Sequence, residues 1–475
     1  MHVVFVQDLY FEQIGLMSLA AALAPRGHRS TAIVGFEVAR VVEQVRAARP
    51  DLVGFSVPTI RLPWTRRVVA ALREALPRVP IVLGGPHPTF CPDVIRDEAY
   101  DWLVRGEGEE ALPALCDALE RREDPGSTPN LSWREAGGAV RHNALGPFLA
   151  DLDALPWPDR RLYYDAHPFL RENSIKPFIA GRGCPYKCTF CFNEGYKSLH
   201  PDPENYLRFR SPDAVCDEIL EVRARYGLER VHFYDDVFNW SARWLDEFLE
   251  VYARRVALPF RCNVVAQTLT PEVARHLASA GCYQVSFGVE SGNAELRRRL
   301  LKKYVSDDQI VRCAQALHAA GIEFHTTNIF GAPGETLADA LDTVRLNARI
   351  RPQSVLGFVF QPYRGLELTE QGLERGLVEL AATEGEFRSF HGRYVGGDEI
   401  DAVLRVQKLF AVGVRFPWFI PTIERLARHD LGPLYLALFF LGQALGYGER
   451  SGKSFPELVR EAPDLLRQYR TYFRE

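Results

Sequence analysis

Three cysteines fall within eight residues of the segment GRGCPYKCTFCFN: Cys184, Cys188 and Cys191, spaced C-x3-C-x2-C. Thiolates this close together can ligate three irons of a [4Fe-4S] cubane and leave the fourth iron without a protein ligand. An iron left open in this way can be chelated by a small molecule, which is then placed for one-electron reduction. Zinc is the competing occupant, but it usually takes four ligands as paired C-x2-C units, and the chain has no second pair.

The elements that must position these thiols are legible on either side. From Lys176 onward the strand-like runs PFIAGRG, RVHFYDD, FRCNVV, YQVSFGVE, EFHTTNIFG and VLGFVFQPY alternate with helical segments such as DAVCDEILEVRARYG and QIVRCAQALHAAG. Six strand–helix repeats over residues 176–385 predict an α/β architecture, a partial TIM-like (β/α)6 barrel whose reactive centre lies at the C-terminal strand ends. The cysteines directly follow the first of these strands. Residues 1–125 carry the same alternation on a shorter beat and predict a Rossmann-like, doubly wound domain with helices on both faces of a parallel sheet. Between them, residues 126–175 read as a linker, with EDPGSTPN, a hairpin around Gly137 and Gly138, and the stretch LDALPWPDRR. Residues 386–475 read as a C-terminal helical domain. Its most apolar stretch, Pro433–Leu445, is well short of the roughly 20 residues that span a bilayer. A buried helix is the plain reading of that stretch, and peripheral contact with a membrane or a lipid-like substrate the sharper one.

The cysteine motif resembles the signature of the radical S-adenosylmethionine (SAM) superfamily, C-x3-C-x-aromatic-C, matched by Cys184, Cys188, Phe190 and Cys191. The resemblance implies a cluster that binds SAM and cleaves it to methionine and a 5′-deoxyadenosyl radical. It also implies a role for Asp235 and Asp236 of HFYDDVF in receiving the SAM ammonium, with helix capping as the other role open to them. Glu290 of SFGVESGN, with Ser291 beside it, falls where the family places a carboxylate on the ribose hydroxyls, and a carboxylate suits a diol as a bidentate acceptor. Gly331 in NIFGAPGET falls at the adenine segment, where glycine permits close backbone approach; a simple turn is the alternative. Arg261 and Asn263 are candidates for the SAM carboxylate, or else for a structural ion pair or hydrogen bond.

A Rossmann-like domain ahead of such a barrel, joined by LDALPWPDR, resembles the cobalamin-dependent radical SAM subfamily over about residues 1–370. The resemblance implies cobalamin over the C-terminal edge of the first sheet. The matching loops hold Gln7, Asp8 and Tyr10 after the first strand, and Ser56 and Thr59 after the third. Gly84, Gly85, His87 and Thr89 follow the fourth, and Gly106 and Glu107 the fifth. Glycines let a flat corrin approach the backbone, and hydroxyls can reach its amides. Where many cobalamin proteins read D-x-H-x-x-G, this chain reads D-L-Y-F-E-Q-I-G, so Tyr10 stands in place of the histidine that would ligate cobalt. His87 is either a replacement ligand or a structural donor.

The implied activity is that of a class B methyltransferase-like enzyme, which C-methylates an unactivated carbon of a small-molecule or lipid-like substrate. The alternative is a cobalamin-binding radical SAM enzyme that performs a cyclisation, oxidation or rearrangement without methyl transfer. A third reading is a cluster-bearing sensor without catalysis. An external one-electron reductant such as flavodoxin or ferredoxin would supply the electron. Composition agrees with a globular protein of several domains: 475 residues, 47% hydrophobic and 25% charged. The net charge of -4 gives no sign of a nucleic-acid partner. MHVVFVQDLYFEQ has no export-signal pattern, no segment reads as transmembrane, and nine cysteines, an odd number, suit a reducing compartment. The expected location is therefore the cytoplasm.

Overall fold

Strands buried on both faces need helices above and below them, and the first 120 residues supply both. In the computed structural model, which describes residues 1–97, 99–135, 137–379, 392–439 and 442, contacts divide the chain into two compact units. One is Met1–Gly183 with Gly195–Val231, the other Cys184–Glu194 with His232–Glu475.

In the first unit, β1 (His2–Gln7), β2 (Arg29–Val34), β3 (Leu52–Ser56), β4 (Ile81–Gly84) and β5 (Trp102–Val104) form a parallel sheet. Two antiparallel strands, β6 (Leu131–Arg134) and β7 (Val140–His142), extend it, in the order β2-β1-β3-β4-β5-β6-β7. The hairpin expected around Gly137 and Gly138 therefore joins the sheet, with Gly138 left-handed at φ +83°. All six residues of β1 are buried. Met17, Leu112 and Leu115 pack on one face of the sheet, and Val41, Val68 and Leu72 on the other. This is the doubly wound arrangement. Its chain direction switches between β1 and β3, and such a switch opens a crevice at the C-terminal strand ends.

The first unit also contains a buried charge centre. Glu218 accepts from Arg160 at 3.0 Å and Arg210 at 2.5 Å. A two-residue ribbon pairs β9 (Gly181–Arg182) with β10 (Arg208–Phe209), after β8 (Ile175–Phe178). Gly183 follows at φ +97°, where a side chain would collide with the Tyr206 carbonyl.

The second sheet keeps sequence order, as repeated right-handed βα steps dictate. It runs β15 (Ser354–Val359), β14 (Glu323–Phe330), β13 (Cys282–Glu290), β12 (Phe260–Asn263), β11 (Arg230–Phe233), β8. These are the six strands expected from the sequence. On the helix side of the sheet Phe233 packs among Phe238, Phe248 and Phe260. Phe410, from the helix Ile400–Arg415, stacks edge-on against Phe330 of β14 at 5.0 Å. Helices Ile400–Arg415 and Ile420–Ala427 and a helical run at 433–439 make up the described C-terminal part. Apart from Gly442, the remainder of Pro433–Leu445 lies outside the described residues. Among the described residues no helix is long and apolar enough to cross a membrane.

Candidate functional site

Cys184, Cys188 and Cys191 are half-buried and unbridged, in a loop assigned to the second unit. The Cys191 amide donates to the Cys188 carbonyl at 3.1 Å and closes a turn. Thr189, inside that turn and 1% exposed, anchors it three ways. Its amide donates to the Leu301 carbonyl at 3.1 Å, its hydroxyl to the Leu300 carbonyl at 2.6 Å, and its carbonyl accepts from Leu368 at 3.0 Å. Phe190 packs against the hydrophobic cluster that includes Leu301, Phe360 and Leu368. Burial pushes the Cys184 thiol up to about 12 and the Cys188 thiol up to about 11, and the neighbouring cysteines add to both shifts. The loop therefore gathers three soft donors whose protons a metal must displace, which suits iron–sulfur ligation. Among the described residues no three His, Cys, Asp or Glu side chains are drawn around a single metal-ion position.

The strand ends beyond this loop hold the other SAM candidates. Asp235 is buried; Asp236 is exposed as a whole residue, yet burial raises its carboxyl above the ordinary carboxylate value, opposed by a hydrogen bond with Asn193. Asn263 donates to the Asp235 carbonyl at 2.9 Å and fixes the end of β11. Arg261, two residues deeper on β12, donates to His232 Nδ1 at 2.9 Å. Glu290 ends β13 in a left-handed conformation, φ +64°, at an irregularity in the β13–β14 register. Strain of this kind in a residue with a side chain persists only where its surroundings enforce it. Here Glu290 meets Lys303 at 3.1 Å over Gly288, where a Cβ would fall on the Glu290 carboxylate. Ser291 is buried in the following turn, its hydroxyl accepting from Asn293 at 3.2 Å and its carbonyl from Arg297 at 2.7 Å. Gly331, at φ +80°, donates its amide to Glu335 at 2.6 Å, and Ala332 donates to the same oxygen at 3.1 Å. Burial pushes Glu335 up to about 8.

In the first unit the loops after β3, β4 and β5 are knitted together at the C-terminal sheet edge. Thr59 Oγ1 bonds His87 Nδ1 at 3.1 Å; Thr89 donates to the Gly85 carbonyl at 2.8 Å and accepts from the Gly106 amide at 3.1 Å. Val57 donates to the Gly84 carbonyl at 2.8 Å. Gly85, at φ +88°, lies so close to the end of β3 that a Cβ would stand 2.9 Å from Val57 N and 3.0 Å from Ser56 Oγ. Glycine and hydroxyl groups thus line one edge, a cradle whose chemistry fits a corrin and its amides.

The loop after β1 is organised inward. Gln7 accepts from Tyr163 at 2.5 Å and Gln13 at 2.9 Å and donates to the Leu9 and Phe11 carbonyls. Asp8 pairs with Arg61 at 3.3 Å. Tyr10 lies between Phe36 and Phe169, ring centroids 4.9 and 5.5 Å away. The Glu107 carboxylate is occupied by Arg208 at 2.9 and 3.0 Å, Arg182 at 3.0 Å and the Leu149 amide at 2.8 Å. Those bonds hold it well below the usual carboxylate range despite burial.

Sequence reasoning missed Thr189, Lys303 and Glu335. Only Glu335 had a readable signal, an acid four residues after Gly331 in a glycine-rich turn. The other two are located by contacts between segments more than a hundred and about a dozen residues apart, respectively.

Residues 3–116 match the B12 binding domain and residues 178–346 the radical SAM superfamily. Fold and matches together define a radical SAM enzyme that carries a cobalamin-binding domain. The chain belongs to the cobalamin-dependent radical SAM family, whose cofactors are a [4Fe-4S] cluster, SAM and cobalamin. It is 26% identical over 349 residues to an uncharacterized methyltransferase of Pyrococcus horikoshii, covering 72% of this chain and 73% of that one. It is 23% identical over 392 residues to the anaerobic magnesium-protoporphyrin IX monomethyl ester cyclase of Synechocystis, covering 79% and 76%. The radical SAM methyltransferase TsrM from Kitasatospora setae, solved with tryptophan substrate and a SAM analogue, shares the fold. Its TM-score is 0.68 at 19% identity, over 98% of this chain and 99% of that one.

Proposed function

We propose that this enzyme C-methylates an unactivated carbon of a small-molecule or lipid-like biosynthetic substrate in the cytoplasm, drawing its electron from a carrier such as flavodoxin or ferredoxin. The observation that carries the reading is the presence, in one chain, of a B12 binding domain at 3–116 and a radical SAM domain at 178–346. The Pyrococcus relative and TsrM are likewise named as methyltransferases.

When bound, the cluster supplies the electron that cleaves SAM to a 5′-deoxyadenosyl radical, and cobalamin carries the methyl group. Cys184, Cys188 and Cys191 are the cluster ligands, on a turn that Thr189 holds still. Asp236, just beyond β11 and hydrogen-bonded to Asn193, receives the SAM ammonium. Glu290, oriented by Lys303, accepts from the ribose hydroxyls. Glu335 draws the amides of Gly331 and Ala332 inward and shapes the turn beneath the adenine. In the first unit Gly85, Thr59, His87, Thr89 and Gly106 form the cobalamin cradle. Tyr10 is packed between two rings and leaves cobalt without a protein ligand from that position.

Turnover with methyl-labelled SAM tests the reading. Methylation puts the label into the product alongside 5′-deoxyadenosine. A product without label would instead support the second reading, a cyclisation, oxidation or rearrangement, which the cyclase name of the Synechocystis relative favours.

A further inference from the structure

Arginines drawn into a protein interior normally bring a carboxylate with them, because a charge withdrawn from water without a partner is costly. Most of the buried arginines of this chain obey the rule. Arg160 and Arg210 share Glu218, Arg182 and Arg208 share Glu107, and Arg297, the buried arginine of the second unit, reaches Asp307. Arg105 departs from it in the first unit, its Nε buried without a hydrogen bond, and Arg261 departs from it in the second. Arg261 is half-buried on β12, and among the described residues no carboxylate lies within ion-pair distance of it. Its partner is the ring of His232, 2.9 Å from Nη2, and its Nε is buried without a hydrogen bond. That histidine is pushed down to about 3, first by burial and then by the Arg261 charge, so it serves as a neutral acceptor and cancels none of the cation.

The surroundings are those of a binding surface. Val231 and Phe233 of β11 point to the helices, so His232 and Tyr234 point to the other face of the sheet, where Arg261 meets His232. Tyr234 stands edge-on to the His232 ring at 4.1 Å and is 44% exposed. Arg261 pairs in register with Gln284, six residues before Glu290 on β13, so the two levels are separated by about 20 Å of strand. Glu290 ends the longer strand β13, and Arg261 lies two residues, about 7 Å, inside the end of β12.

We propose that Arg261 anchors the carboxylate of the substrate on the inner face of the second sheet, with Asn263 and Ser286 one step further along their strands toward the SAM level. A single guanidinium matches a monoanion, and its planar fork fits a carboxylate with two parallel hydrogen bonds. This assignment names the substrate class within the proposed C-methylation and rests on that reading for the reaction, though not for the binding.

The test uses the reconstituted, cobalamin-loaded enzyme and labelling of arginines by phenylglyoxal, read by peptide mass mapping. Acetate, small enough to reach the site whatever the substrate's shape, is compared with chloride at equal ionic strength, and separately with SAM alone. The expected result is that acetate slows labelling of Arg261 about tenfold, the scale of a charge-assisted contact. Arg275, 68% exposed on the surface, serves as the unaffected control. Absence of protection by acetate overturns the proposal. Protection by SAM alone also overturns it, because it assigns Arg261 to the methionine carboxylate. Both outcomes are independent of whether methyl label reaches a product.

Discussion

Glu290 and Lys303 meet at 3.1 Å in space that Gly288 leaves open by having no side chain. Strand, bulge and ion pair form one device: the left-handed turn at Glu290 aims its carboxylate back over β13, and Lys303 holds it there. Gly288→Ala should therefore displace Glu290 at an overpacking cost of about 1–3 kcal/mol. The expected outcome is SAM affinity reduced about tenfold or more with far-UV circular dichroism unchanged, measured by equilibrium binding to the reconstituted enzyme.

The first unit makes a separate prediction about cobalamin. Gly85 combines a positive φ with a Cβ direction blocked by Val57 N at 2.9 Å. Gly85→Ala should reshape the cradle and weaken hydroxocobalamin binding about tenfold or more. Absorbance titration of the corrin reads this directly, and iron and sulfide content should stay at the wild-type level.

Glu218 is the counterion of two buried arginines, with side-chain exposures of 2% for the acid, 3% for Arg160 and 10% for Arg210. Glu218→Gln leaves Arg160 without an ionised partner and Arg210 with only the longer contact to Asp153 at 4.0 Å. A loss of about 3–5 kcal/mol is expected, seen as a shifted unfolding midpoint in denaturant with the slope unchanged.

Glu335 predicts a pH dependence. Its folded value of about 8 lies above the ordinary glutamate value of 4.5 because of burial. The protonated folded form is thus favoured. The group's contribution to stability is fully present below pH 4.5 and is lost as pH rises toward 8. Glu335→Gln removes that dependence. Relative to the wild type, the variant should gain stability between pH 5 and 8, by thermal unfolding at a series of pH values. A constant difference across that range would count against the assignment.

How much of this was legible in the sequence depended on how local each signal is. The six strands of the second sheet were all found because each βα repeat states its own period, and the sheet keeps chain order. The cluster motif is local as well, since its three thiols lie within eight residues. Glu107 shows the limit. Its loop was read as lining a cobalamin site, yet its carboxylate is taken by Arg182 and Arg208, which reach it from 75 and 101 residues away. No periodicity carries that information. Asn263 was open between SAM and a structural bond, and the structure shows it bonded to the Asp235 carbonyl. The hairpin at Gly137–Gly138 was visible from turn chemistry, but its pairing of β6 with β5 is a long-range choice between sheet edges.

The three thiols of the Cys184–Cys191 loop carry the chemistry proposed for this enzyme. Chain reconstituted without oxygen should contain close to four iron and four sulfide per polypeptide and should cleave SAM to 5′-deoxyadenosine under reducing conditions. Replacing Cys184, Cys188 and Cys191 together by alanine should abolish both the bound iron and the cleavage while the unfolding profile and corrin affinity remain near wild type. Iron and sulfide retained in the triple variant, or SAM cleaved without them, would contradict the account.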